Sequence, residues 1–112
     1  DLTTLQALAD CGFTTVTDGY GLFPYTVKRI VLVPQLFSNA YHFGFGVYTI
    51  CVHVNEITPT HTKRIIDFAT RNCDNFISLE DAASIRVSPI LAASTRIALA
   101  SALTLARRIR RF

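Results

Sequence analysis

Two periods of apolar residues run along this chain. The segment Phe13 to Thr17 is rich in β-branched residues and runs into Asp18-Gly19-Tyr20-Gly21, so it predicts a short strand and a turn. Tyr25 to Val33 predicts a second strand, closed by Pro34. Between about Phe43 and Val54 the alternation is long. Tyr48, Ile50, Val52 and Val54 would point to a core, and Val47, Thr49, Cys51 and His53 to a more polar side. Residues 84–88 predict a last short strand, with a helical turn over 78–84 as the alternative.

The helical period appears three times. Residues 3–11 predict a short helix with Thr3 or Thr4 as its cap and Gly12 as its stop. Thr58-Pro59 opens a helix to about Asn72, with Ile65, Ile66, Phe68 and Ala69 as its buried stripe. Across that helix, Asp67 stands four residues from both Lys63 and Arg71, so part of its basic face is internally paired. Ser88-Pro89 repeats the start signal and opens the longest helix, to about Arg111, about 35 Å at the usual rise. On its wheel Leu91, Ala98, Ala102, Leu105 and Ile109 share one face, expected to be the inner one.

These elements predict an α+β domain over residues 1–112: a ferredoxin-like sandwich, an antiparallel sheet covered by helices, with an extra long C-terminal helix. Ile50, Val52, Ile65, Phe68, Leu99 and Leu105 are its expected core. The chain begins at Asp1 and contains no Met, so it is expected to be a processed piece of something longer.

Composition narrows the class. Half the residues are apolar and only 17% are charged, which excludes a disordered tail or a collagen-like repeat. The longest apolar run, Ile97 to Ala106, is bracketed by Arg96 and Arg107 and falls short of the ~20 residues of a membrane span, so no membrane partner is expected. Cys11, Cys51 and Cys73 have no close spacing and no glycosylation sequon accompanies them. Reduced, inert thiols in the cytoplasm or nucleus are the expectation.

Charge is unevenly placed. Residues 1–62 carry two basic and four acidic groups, net −2, whereas residues 63–112 carry nine and four, net +5. Four of the basic groups, Arg107, Arg108, Arg110 and Arg111, crowd the end of the last helix. Cations there complement the helix dipole, which accounts for part of the cluster; contacts to phosphate are the expected use of the rest.

The segment Gly44-Phe45-Gly46-Val47-Tyr48-Thr49-Ile50, following Phe43, resembles the octapeptide of an RNA recognition motif, K/R-G-F/Y-G/A-F-V-x-F/Y. Phe43 stands at the basic first position and Val47 at the fifth, aromatic one, and the strand carrying that family's second aromatic motif is absent. The resemblance implies that Phe43 and Phe45 lie on an open sheet face, stacking bases together with Tyr25, while the four arginines contact phosphates.

Other chemistry has weaker support. Cys51, His53, His61 and Cys73 are soft ligand types, but no Cys-x-x-Cys or His-x3-His pair anchors a zinc site, so no metal is expected. No nucleophile elbow, phosphate loop or paired-carboxylate signature is present, so no catalytic residue and no cofactor are assigned. Two classes stay open: a non-enzymatic module that binds nucleic acid, RNA favoured, and a structural module that packs on another copy or a partner domain.

Overall fold

The computed structural model of the chain describes residues 1–37 and 40–109. It is a mixed α+β structure with a small sheet, a separate strand pair and four helices. The first helix, α1 (Leu2–Asp10), starts one residue before the predicted cap: the Asp1 carboxylate accepts from the Thr4 amide at 2.8 Å. It ends in a Schellman motif, with Gly12 N–H donating to the Ala9 carbonyl and Phe13 N–H to that of Leu8.

Strands β1 (Thr15–Thr17), β2 (Tyr25–Val27) and β3 (Ile30–Val33) form a three-stranded sheet in the order β1-β3-β2. β1 runs parallel to β3, with Val16 opposite Leu32, and β2 runs antiparallel, with Thr26 opposite Val31. The strand predicted over 25–33 is therefore a hairpin. Lys28 and Arg29 turn the chain with φ of +50° and +66°, which puts both charged side chains at the tip, in solvent. The apolar run Ile30-Val31-Leu32-Val33 becomes the central strand. Ile30, Leu32 and Val33 are buried, and α1 comes against this strand together with α3 (Leu79–Ser84). A continuous apolar run suits a strand covered on both faces.

The predicted strand 43–54 survives only at β5 (Thr49–Ile50), which pairs in parallel with β4 (Gln35–Phe37). Before it, Gly44 and Gly46 take φ of +89° and +99°, which ends any alternation of side chains. A Cβ at Gly46 would lie 2.6 Å from the Leu22 carbonyl oxygen, so only glycine lets these backbones meet and Val47 N–H donate to that same carbonyl. Tyr48 Oη accepts from Phe43 N–H at 2.7 Å. The backbone groups of this segment thus find loop partners where a ladder was expected. Beyond β5 the chain enters a 3-10 turn, Val54–Glu56.

Helix α2 (Pro59–Arg71) starts as its capping signal requires, with Thr58 Oγ1 accepting from His61 N–H at 3.1 Å. Ile65, Phe68 and Ala69 are half-buried and Ile66 is exposed, so the predicted stripe is realised in part. After a second 3-10 turn (Cys73–Asn75), Ser78 caps α3, which carries Glu80 and Asp81 in its first turn. The helical alternative wins here, and residues 85–88 join no ladder. The last helix, α4 (Pro89–Ile109), follows Ser88, whose hydroxyl accepts from Leu91 N–H at 3.2 Å.

The buried apolar core consists of Leu22, Ile30, Leu32, Val33, Ala82 and Ala92, with Pro34 also enclosed. None of the six residues predicted from periodicity belongs to it: Ile50, Val52, Ile65, Phe68 and Leu99 are half-buried and Leu105 is exposed. Accessible surface totals 8289 Å². A closed monomer of 12.4 kDa exposes about 6,100 Å². The radius of gyration, 15.5 Å, likewise exceeds the roughly 13 Å of a compact chain of this length.

Candidate functional site

Two surfaces stand out. The first is a cleft of about 520 Å³ between the 41–50 segment and the α2–α3 connection. Phe45, Tyr48, Phe68 and Phe76 give it aromatic walls, and Asn72 and Asn75 add side-chain amides. The Phe68 and Phe76 rings meet edge-on at 6.2 Å. Asn72 Nδ2 donates to the Phe68 carbonyl at the end of α2, so part of that amide serves the helix terminus. Among the described residues, no Asp, Glu, Lys or Arg lines the cleft. At its rim, Phe43 and Phe45 are exposed with ring centroids 5.1 Å apart and planes tilted by 57°. Both predicted stacking residues therefore sit together on a loop held by two glycines.

Tyr25, the third aromatic of that expectation, is half-buried, and the Arg96 guanidinium covers its ring 4.0 Å from the centroid. One face of the ring is thus already in use. Arg107 and Arg108 are exposed in the last turn of α4, whereas Arg110 and Arg111 lie outside the described residues. At 1.5 Å per residue, Arg107 lies about 16 Å along the axis from Arg96.

The second surface is α4 itself. It meets the rest of the chain at Arg96, whose guanidinium lies over Tyr25, and on that side Ala92 is buried and Thr95, Leu99 and Leu103 are half-buried. The neighbouring stripe, expected to be the inner one, is open. Leu91 is 45% exposed, Leu105 60% and Ile109 66%, and Ala98 and Ala102 between them are exposed too. The helix polar groups are largely satisfied within it. Ser94 donates to the Ile90 carbonyl, Thr95 to those of Leu91 and Ala92, and Thr104 to that of Ala100. The 21-residue α4 contains an 18-residue window of mean hydropathy 1.4, so by length and composition it is apolar enough to cross a membrane, although no single uninterrupted run in the sequence is. Length and composition alone carry little weight there, and Arg96 interrupts the helix near its middle.

The soft ligand types do not converge. Cys51 Sγ lies 3.8 Å from His53 Nε2, and Cys73 bonds the adjacent Asp74. Among the described residues no group of three or more metal-ligating side chains gathers. Cys11 and Cys73 are exposed, Cys51 is half-buried, and His61 Nε2 is buried without a partner. Sequence periodicity missed the cleft, because its aromatic walls come from segments about 20 residues apart. The only local signal was the polar break Asn72-Cys73-Asp74-Asn75 before Phe76. Comparison with protein-family models, with curated proteins and with solved structures finds no match.

Proposed function

We propose that this chain is a non-enzymatic assembly module that works with the open face of α4 buried against a partner. The observation that carries the reading is the Leu91-Ala98-Ala102-Leu105-Ile109 stripe: a continuous apolar face left exposed among the described residues. The extended surface supports it. The chain exposes roughly 2,000 Å² more than a closed monomer of its mass, and a standard interface removes about 800 Å² from each partner. Hydroxyl-radical footprinting tests it. Leu91, Leu105 and Ile109 are expected to be shielded in intact cells expressing the protein and reactive in the dilute purified chain. Equal reactivity in both settings would remove the reading.

A second reading has its own support in the Phe43–Phe45 pair at the rim of an uncharged aromatic cleft. In it the chain binds single-stranded nucleic acid, RNA favoured. Bases stack on Phe43 and Phe45, and phosphates meet Arg107, Arg108, Arg110 and Arg111. The resemblance to an RNA recognition motif and the finer ferredoxin-like plan belong to this reading. They rest on the Gly44–Ile50 pattern and the order of elements read from the sequence; against them, residues 85–88 form no last strand and the 43–54 strand is reduced to Thr49–Ile50. Titrating fluorescent single-stranded RNA at several salt concentrations tests it. Glutamine at all four arginines should weaken binding and flatten its salt dependence, and alanine at both phenylalanines should weaken it at every salt concentration. No binding by the parent at low salt would end this reading.

A further inference from the structure

The cleft between the 41–50 segment and the α2–α3 connection gathers exposed apolar side chains. Phe45 is 59% exposed, Phe76 56% and Ile77 53%, whereas Val33, also in the lining, is enclosed. Its volume of about 520 Å³ falls within the roughly 300–1,000 Å³ of small-molecule sites. The rings of Phe68 and Phe76 are set at 74° to each other. A flat ring that lies on the face of one therefore meets the other edge-on, and both are arrangements that aromatic rings prefer.

Charge and hydrogen bonding narrow the ligand. Among the lining residues only His42 can carry a positive charge, and it is exposed. An ionised ligand would give up water for walls that offer it no firm counter-charge. Asn72 fixes a polar edge. The Phe68 carbonyl can only accept, so the Asn72 amide turns Nδ2 toward it, at 2.8 Å, and leaves Oδ1 as an acceptor. Asn72 is half-buried in the cleft wall, so a ligand without a donor would cover that oxygen and leave it unpaired. Ser78 supplies the complement, because its Oγ accepts from Asp81 N–H and its own proton remains to donate. An acyl chain would fill the same space and satisfy neither group.

We infer that this cleft binds a small, neutral, planar heteroaromatic molecule whose ring carries an N–H donor beside an acceptor, as a ring-fused cyclic amide does. Phe68 and Phe76 hold the ring, and Asn72 Oδ1 takes its N–H. The α4 face and the arginines play no part, so the site stands or falls apart from both readings above.

Quinolin-2(1H)-one is flat and neutral, has adjacent N–H and C=O groups, and serves as the probe. Titrated into the full chain and followed by saturation-transfer NMR, it should bind with a Kd at or below about 1 mM, as a ligand of so few atoms allows. Coumarin has the same shape with a ring oxygen in place of the N–H and should bind about tenfold more weakly. Anionic quinoline-2-carboxylate should not bind. Phe76→Ala should remove probe binding and leave the circular-dichroism spectrum unchanged, since Phe76 is exposed. Phe43→Ala, a change at the rim and outside the lining, should bind the probe like the parent. Coumarin binding as tightly as the probe, or the carboxylate binding more tightly, overturns the inference. So does a parent that does not bind the probe, or binding that is lost in Phe43→Ala and kept in Phe76→Ala.

Discussion

The turn between β2 and β3 is built from residues poorly suited to it. A two-residue hairpin loop with positive φ at both positions favours Asn-Gly, yet Lys28 and Arg29 hold φ of +50° and +66°. A side chain in this left-handed region costs about 1–2 kcal/mol per residue. Replacing the pair by Lys28→Asn and Arg29→Gly relieves about 2 kcal/mol, taking about 1.5 kcal/mol at the glycine and about 0.5 kcal/mol at the asparagine, which keeps its Cβ. Two losses oppose this gain. Glycine adds disorder to the unfolded chain, worth roughly 0.5 kcal/mol. The Arg29–Asp10 ion pair also disappears. Its partners are 3.0 Å apart with side chains 71% and 60% exposed, so about 0.5 kcal/mol is a fair allowance for a solvent-screened pair. The net expectation is a gain of about 1 kcal/mol, or about 4 °C in melting temperature for a domain of this size. Thermal denaturation followed by circular dichroism reads it directly. Because salt screens only the ion pair, the gain should be somewhat larger at high ionic strength. Asp10→Asn breaks the same pair without touching the turn and so measures that part separately. A double variant that melts below the parent at both low and high salt would refute the reasoning.

Three further outcomes follow from burial and capping. Ile30 is fully enclosed, so Ile30→Ala should cost about 2–5 kcal/mol and shift the urea midpoint far to lower concentration, a large part of the stability of any small domain. Phe68 is half-buried and touches Phe76 only edge-on, so Phe68→Ala should cost about 1–2 kcal/mol in the same assay, less than the 3–5 kcal/mol of an enclosed ring. Thr58→Ala removes the hydroxyl that accepts from His61 N–H and should lower stability by about 1 kcal/mol, while Thr58→Ser should restore it.

What the sequence determined by itself is the set of local decisions. Thr58-Pro59 and Ser88-Pro89 start α2 and α4 where they were read, because a capping hydroxyl meets an amide only three residues on and needs no distant partner. Gly12 ends α1 for the same reason. The mixed α+β class follows from these signals and from the β-branched runs that became β1 and β3.

The tertiary structure decided everything that depends on a partner. An alternating segment becomes a strand only where another strand supplies its ladder, and the residues from Phe43 to Tyr48 bond instead to Leu22 and to one another. The hairpin at Lys28-Arg29 depended on the sheet's need for a central strand buried on both faces, which Ile30 to Val33 alone supply. For α4 the wheel offered two adjacent stripes of similar character. Local chemistry does not choose between Ala92-Thr95-Leu99-Leu103 and Leu91-Ala98-Ala102-Leu105-Ile109, because each is apolar enough to be buried. The fold chose the first, by setting Arg96 over Tyr25 and Ala92 into the core, and so left the second facing outward.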